Sequence, residues 1–527
     1  MAGRAAAARA AVGRERLLVS FAGVELSPAE AEAIAARAAG VTLYRHLNVR
    51  SPGQVRVLTD TLQAASRRLG LPPLLIGADH ETGQLHAMGD GATPFAGAMA
   101  IGATGDVGLA ERVGRAIGTE LRAMGVNLVY APVCDLATNP RNPVVGIRAF
   151  GDEPGAVGAM AAATIRGLQA AGVAATIKHL PGHGEPGGDS HLGLPVIESS
   201  GTELRARELV PFRAAIAAGA RLAMAGHLAV PALTGRRDLP ATLAREVVHG
   251  LLRDELGFDG LVVSDALDMG GARGGDGGPD VAEALRAGID LLLCGPDPVA
   301  QAQVEAALSA AIAPRGPDET AGPNRRLAEL LGWLAGFAQP GLDVVASADH
   351  EALAAELAGR SITAIRDRDG GLRRGVPEEA VVLVIEPRPR DLTPADTTSL
   401  LPPGGLAAAI RARHPGVEAV LLDAGPTESE IASLRARAVA ADLVILGTVD
   451  ALGDRAIRAL ADTLATTATP LVAIALRGPW DADAYPAVGT VVATYGIQPP
   501  SLAALAAVVV DGAPLSGRLP VRIRTAG

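Results

Sequence analysis

The chain has 527 residues, 49% apolar and 20% charged, with 64 glycines and 37 prolines. That length and content exclude a disordered chain or a small disulfide scaffold and, at about 150 residues per domain, predict two or three cores. Lys and Arg number 47 against 57 Asp and Glu, a formal net charge of −10, which argues against nucleic acid as a partner. The two cysteines, Cys134 and Cys294, stand 160 positions apart; neither a disulfide framework nor a C-x-x-C metal spacing results, and a reducing, cytoplasmic setting is expected.

In chain order, the first twelve residues, MAGRAAAARAAV, are Ala-rich but broken by Arg4 and Arg9. They lack the unbroken apolar core of about 7–15 residues that an export signal needs. Short apolar runs then alternate with Ala-rich, helix-favouring segments. The runs predict eight strands: Leu17 to Phe21, Val41 to Tyr44, Leu74 to Ile76, Val126 to Tyr130, Ala174 to Ile177, Leu222 to Ala225, Leu261 to Val263 and Leu291 to Leu293. Between them the pattern predicts helices over Pro28 to Ala39, Gln54 to Leu69, Asp106 to Met124, Glu153 to Ala171, Glu203 to Ala218 and Leu243 to Leu256, most ending near a glycine. Eight strand–helix units in about 300 residues predict a TIM (β/α)8-type barrel, with its site at the C-terminal strand ends. Asp79, Asp135, Lys178, His179, His227 and Asp265 stand just past those ends. The competing architecture, a doubly wound open sheet, lacks a G-x-G-x-x-G after its first strand.

Between about residues 314 and 349 the chain turns to Pro, Gly and charge, in PRGPDETAGPNRR and AQPGLDVVASADH, which reads as a linker. Further apolar runs follow at Ala380 to Ile385, Ala419 to Leu422, Leu443 to Leu446, Leu471 to Ala475 and Thr490 to Ala493. They predict a smaller α/β sandwich domain with a mainly parallel sheet. The domain assignment is residues 1–340 for the barrel and 350–527 for the sandwich. The longest uncharged stretch, Ala484 to Val510, contains Pro486, Gly489, Gly496, Pro499 and Pro500; it reads as turns and strands, and no membrane association is expected.

Of the 47 basic residues 46 are Arg, and the one lysine is Lys178. His179, His183 and His191 follow it, three of the ten histidines within 13 residues where chance would put roughly a quarter of one. An ammonium is a compact point donor that a planar guanidinium cannot mimic in a tight pocket, so Lys178 reads as functional. The segment TIKHLPGHGEPGGDSHLGLPVI, Thr176 to Ile197, leaves a strand for a Gly- and Pro-rich loop. On it Asp189 precedes His191 by two positions, close enough to bond one imidazole nitrogen and leave the other for substrate, the logic of an oriented general acid/base. Zinc is the competing reading of three histidines and two carboxylates. Only the first pair has helical spacing, and Pro181 with Gly182 prevents that helix, so no metal or other cofactor is expected. In GFDGLVVSDALDMGG, Gly257 to Gly271, a buried apolar strand delivers Ser264 and Asp265 to its C-terminal end. A carboxylate there can be an electrostatic stabiliser, a metal ligand or a nucleophile toward an anomeric carbon. Asp268 reads as a loop or helix-start residue.

Taken together, KHLPGHG, DSHLGLP and SDALDM, with NPVVGIRAFGD, APVCDL and AGHLAVPAL in order, resemble glycoside hydrolase family 3, and within it the bacterial β-N-acetylglucosaminidases. LRGPWDADAYPAVGTVVATYGIQPPSL and SGRLPV are similar to the C-terminal domain of its longer members. The resemblance implies a retaining exo-β-N-acetylglucosaminidase acting on short glycans or cell-wall fragments. Asp265 is implied as nucleophile, His191 with Asp189 as acid/base, and Asp79, Arg148, Lys178 and His179 as holders of the sugar hydroxyls. The expected partner is a small N-acetylglucosaminide, with inorganic phosphate as a competing acceptor. Where the family carries two arginines after its sugar-binding Asp, this chain has HETGQLHAM, with Gln84 and Ala87 at those positions. A β-glucosidase or β-xylosidase of the same family and a catalytically silent sugar-binding protein are the alternatives.

Overall fold

A computed structural model of the chain describes residues 13–272, 280–313, 317–368 and 370–524. The Ala-rich run at residues 1–12 and positions 314–316 of the expected linker lie outside the described residues.

The eight expected strands are all present, one with the expected bounds and seven shifted by one to three residues at an end: β1 (Leu17–Val19), β2 (Gly40–Leu43) and β3 (Leu75–Ala78), then, after a short antiparallel hairpin of β4 (His80–Thr82) and β5 (Leu85–His86), β6 (Leu128–Val129), β7 (Ala174–Leu180), β8 (Leu222–Ala225), β9 (Leu261–Ser264) and β10 (Leu292–Leu293). The parallel order is β10-β1-β2-β3-β6-β7-β8-β9, and a parallel bridge between Val263 and Leu291 brings the two ends of the sheet together. The chain therefore forms the expected barrel. Side chains two apart on a strand share a face. One set, Leu18, Leu75, Leu128, Tyr130, Leu222, Met224, Leu261, Val263, Leu291 and Leu293, fills the interior. The alternate set, including Val19, Ile76, Val129, Ala223, Val262 and Leu292, packs with the surrounding helices. Burial on both faces is why these strands read as unbroken apolar runs.

Two expectations need correction. The linker region holds a helix, Pro317–Leu334, whose Leu327, Leu330 and Leu334 join the barrel-interior cluster. Arg326 of this helix binds Asp290 at the start of the last strand, and Trp333 stacks under the Arg221 guanidinium at the start of β8. Its Pro and charge are those of a helix that plugs the barrel floor. The single helix expected over Glu203 to Ala218 is two, Gly201–Ala206 and Leu209–Ala217. Pro211 explains the break, since its ring would strike the carbonyl of Arg207 in a continuous helix.

The second sheet contains β11 (Thr363–Asp367), β12 (Val382–Pro387), β13 (Val417–Leu422), β14 (Leu443–Thr448), β15 (Leu471–Ala475) and β16 (Thr490–Ala493), in the order β11-β16-β15-β14-β12-β13. All neighbours are parallel except β11, which runs antiparallel to β16. Sequence reading missed β11 because Arg366 and Asp367 interrupt its apolar pattern. Helices cover both faces, giving the expected sandwich. The uncharged stretch ends in a helix, Pro499–Asp511, rather than in further turns. No described helix is long and apolar enough to cross a membrane. The two sheets meet at their C-terminal strand ends: Gln498 Nε2 donates to Gly83 O at 2.6 Å, and Thr397 N and Oγ1 donate to Gln84 O at 2.8 and 2.9 Å.

Candidate active site

Every site residue expected from the sequence lies at the C-terminal mouth of the barrel. Asp265 follows β9 directly; its N–H donates to Ala225 O at 3.0 Å, and its Oδ1 accepts the Ala266 N–H at 2.8 Å. Burial would raise its pKa, but the nearby His227, His179 and His191 imidazoles outweigh burial and lower it. The strand end thus holds an ionised carboxylate among three imidazoles. His227 is tied down by Thr242 Oγ1 at its Nδ1 and Ala266 O at its Nε2, and burial lowers its pKa.

Lys178 and Asp79 form one ion cluster with a residue sequence reading passed over. Lys178 Nζ lies 2.8 Å from Asp79 Oδ1 and 2.6 Å from Glu81 Oε1. Glu81 also takes a two-pronged contact from Arg148, Nε at 2.8 Å and Nη2 at 2.7 Å. Burial would raise the Glu81 carboxyl, but the Arg148 guanidinium and the Lys178 ammonium hold it down at about 2. Glu81 stands between the two cations, so Arg148 and Lys178 are fixed in place before any ligand arrives. Its signal was present in the sequence, two positions past Asp79 on a strand. Alternation sends 79 and 81 to one side.

Tyr44 was likewise read only as a strand end. Leu43 pairs with Ala78 in the β2–β3 register, so Tyr44 and Asp79 emerge side by side. Its phenol pKa is raised well above its usual value by burial and then by Asp79. The other three tyrosines, Tyr130, Tyr485 and Tyr495, are fully buried, which leaves Tyr44 as the one tyrosine able to meet a ligand.

His179 Nδ1 lies 2.7 Å from Asp135 Oδ2. Asp135 Oδ1 accepts the backbone N–H groups of His179 and His183 at 3.0 and 2.8 Å. Burial opposes ionisation of Asp135, yet His179 and these bonds lower its pKa. His183 is a loop anchor: Nε2 meets Ser190 Oγ at 3.1 Å, and burial lowers its pKa to about 4.

Asp189 Oδ1 accepts from both the backbone N–H and Nδ1 of His191, at 2.8 and 2.7 Å. His191 is partly exposed, and its Nε2 has no protein partner among the described residues. The loop is pinned from below by backbone donors after β9: Gly270 N to His191 O at 3.1 Å and Gly271 N to Ser190 O at 3.0 Å. A Cβ on Gly270 would come within 2.9 Å of His191 O, and one on Gly271 within 2.8 Å of Gly193 O. The glycine pair of SDALDMGG is thus required by close approach. Asp268 accepts the Gly295 N–H at 3.0 Å, in keeping with its reading as a loop residue. A second missed carboxyl, Glu208, is buried beside Gly182, and neither of its oxygens has a hydrogen-bond partner. Burial pushes its pKa up to about 7.

At the positions where sequence comparison expected arginines, Gln84 Nε2 donates to Ala395 O of the second domain at 3.2 Å, and Ala87 is buried. Arg45 lies across the same hairpin instead, its Nη1 donating to His86 O at 3.3 Å.

An eight-stranded parallel barrel with an anionic carboxylate, an oriented imidazole and a preset cation cluster at its mouth is the architecture of a hydrolase that works on a polyhydroxylated substrate. Residues 16–315 match the glycosyl hydrolase family 3 N-terminal domain, and the chain belongs to glycosyl hydrolase family 3. It is 36% identical to β-hexosaminidase A of Pseudoalteromonas piscicida over 47% of this chain and 44% of that protein. The match to the β-hexosaminidase of Stenotrophomonas maltophilia is 37% over 54% of this chain and 85% of the relative. Thus the matched region spans under half of the first of these relatives and most of the second. Among solved structures, a family 3 β-N-acetylglucosaminidase from a Paenibacillus species superposes with a TM-score of 0.90 at 32% identity, covering 98% of both chains.

Proposed function

We propose that this protein is a retaining exo-β-N-acetylglucosaminidase that releases terminal β-linked N-acetylglucosamine from short glycans or cell-wall fragments in the cytoplasm, residues 1–340 forming the catalytic domain and 350–527 the second. The observation that carries the reading is the Asp189–His191 dyad, held by the glycines after β9 close enough to Asp265 for His191 to stabilise its anion. The names of the relatives supply the sugar class.

In the first step Asp265 attacks the anomeric carbon while His191 Nε2 gives its proton to the leaving oxygen. The glycosidic bond breaks as the Asp265–sugar ester forms. Asp189 stabilises the imidazolium before transfer and fixes its orientation. Asp79, Lys178, Arg148 and His179 hold the sugar hydroxyls, with Lys178 and Arg148 kept in position by Glu81. In the second step neutral His191 takes a proton from water, the water oxygen attacks the anomeric carbon, and the bond from that carbon to Asp265 breaks as Asp265 leaves as carboxylate.

A panel of p-nitrophenyl glycosides tests the reading. The expected result is rapid release from the β-N-acetylglucosaminide and at least about a hundredfold lower kcat/KM on the β-glucoside and β-xyloside. Preference for either of the latter replaces the sugar assignment, and no release from any makes the protein a binding module.

The dyad favours one further acceptor. Imidazole as base leaves the carboxylate behind Nδ1, so the acceptor side lacks the full negative charge that a glutamate would place there, and phosphate meets less repulsion. Phosphate then competes with water and yields N-acetylglucosamine 1-phosphate. Chromatography of products with and without millimolar phosphate checks this: no sugar phosphate and unchanged turnover leave hydrolysis alone.

A further inference from the structure

A cavity of about 210 Å³ lies between the barrel segment that leads into Arg148 and the loops after β12, β14 and β15 of the second sheet. Its wall includes Gln84 and Arg141 from the barrel and Asp450, Arg477, Trp480 and Asp481 from the second domain. None of these takes part in the mechanism above.

Three observations mark it as a built site. In open parallel sheets ligands settle at the C-terminal strand ends where the strand order reverses. Here β12 lies between β13 and β14, so the loops after β12 and β14 flank that reversal. Asp450, at the end of β14, holds a left-handed backbone with φ of 58°, a conformation that clusters at ligand sites. Gln84 is 7% exposed, and its side-chain carbonyl has no hydrogen-bond partner, a cost that a ligand donor would remove.

The lining defines the ligand's chemistry. It carries cations and carboxyls together rather than one sign, and Arg477 is already paired with Asp396. Asp481 accepts from Thr448 Oγ1 and Ala451 N, and burial raises its pKa to about 7. A ligand of high charge is therefore not favoured. A planar indole beside amide, guanidinium and carboxyl groups suits a neutral ring with hydroxyls around its edge and an apolar face. The space equals that of about seven waters, enough for one pyranose.

From this lining we infer that the cavity binds a second saccharide unit, distinct from the one at Asp79 and Lys178, and that its occupancy acts on the catalytic loop through Asn142. Asn142 lines the cavity and donates from Nδ2 to His183 O at 2.7 Å and Pro186 O at 2.8 Å, on the loop that carries Asp189 and His191. A ring seated against this segment steadies the loop. The inference rests on the saccharide reading of the barrel site.

The chain has two tryptophans, Trp333 and Trp480, and Trp333 is at the barrel floor. In full-length Asp265→Ala/Trp333→Phe protein, Trp480 alone reports. Titration with N,N′-diacetylchitobiose is expected to change its emission saturably. Adding Gln84→Ala or Arg141→Ala should weaken the apparent affinity at least about fivefold, whereas adding Asp79→Ala should leave the signal in place. An unchanged emission overturns the inference, as does a signal abolished by Asp79→Ala but untouched by Gln84→Ala and Arg141→Ala. Failure of wild-type protein to release p-nitrophenol from the N-acetylglucosaminide would instead count against the proposed activity, a result the titration does not depend on.

Discussion

The mouths of the barrel and of the second, mainly parallel sheet face the same seam, yet several of their carboxyls are pushed in opposite directions. At the barrel mouth Asp135 is buried, the Glu81 side chain nearly so and Asp265 partly so, and all have lowered pKa values because Lys178, Arg148 and the imidazoles stand within reach. At the second sheet Glu386 and Asp481 are buried and have raised values because burial outweighs the bonds they accept. Burial makes a carboxyl hold its proton, and it becomes a buried anion only where neighbouring cations and hydrogen-bond donors together outweigh that burial. Glu208 shows the balance inside the barrel domain: Arg207 Nη2 lies 3.6 Å from its Oε1 and lowers its pKa, yet burial is the larger influence and the pKa rises. The anionic mouth can stabilise an oxocarbenium-like centre, whereas the neutral one suits a ligand without charge.

The largest expected effect is at Asp265. Asp265→Ala should lower kcat/KM at least about a thousandfold, since the covalent route is lost. Far-UV circular dichroism should be unchanged, because the hydrogen bond the side chain accepts comes from the N–H of the very next residue and ties no distant elements together.

Lys178 comes next. Wedged between Asp79 and Glu81 beside Arg148, it leaves no room for a second guanidinium. Lys178→Arg and Lys178→Ala should therefore lose activity alike, by about a hundredfold, and Lys178→Ala should lower stability in denaturant titration by about 1–3 kcal/mol, since Glu81 keeps Arg148 and the Asp79 side chain is partly exposed. Near-normal kinetics in the arginine variant would remove the compact-ammonium argument.

A smaller effect follows from the glycine pair. Gly271→Ala must displace Gly193 O or the His227 Cβ, moving the loop under His191. The expectation is a fall in kcat of about ten- to a hundredfold with little change in KM, read from Michaelis curves.

The subtlest effects are on the pH dependence of stability. Asp481 has a raised folded pKa, so the folded state is penalised as pH rises from the unfolded value of 3.8 through about 7. Asp481→Asn should therefore gain on wild type by up to about 4 kcal/mol near pH 8, with the gain fading toward pH 4. Asp135 has the opposite sign: its lowered pKa gives stability above 3.8 that is lost as pH falls through the folded value. Asp135→Asn should lose most near neutrality and least in acid. Parallel thermal melts from pH 2 to 8 read both, Asp135 below about pH 4 and Asp481 above it, and slopes of the same sign in the two variants would erase the contrast between the mouths.

The barrel was legible because burial on both strand faces leaves continuous apolar runs, and the dyad because Asp189 and His191 are local in sequence. Long-range pairing was not. Glu81 reads as an ordinary strand residue until the fold brings Arg148 and Lys178 to it from 67 and 97 positions away. Tyr44 acquires meaning only from the β2–β3 register. The plug helix was hidden by Pro323, whose linker signal is overridden by three leucines packed into the barrel floor, and β11 by the charges of a strand at the sheet edge.

The central claim is a covalent sugar ester on Asp265, and trapping it tests that claim most directly. Wild-type protein is incubated with a slow 5-fluoro-N-acetylglucosaminyl fluoride, quenched and digested, and the peptides are weighed. The account predicts one fluorosugar adduct, on the peptide spanning Leu261 to Met269 and absent in Asp265→Ala; an adduct on any other carboxylate, or turnover of the reagent with inverted product and no adduct, would contradict it.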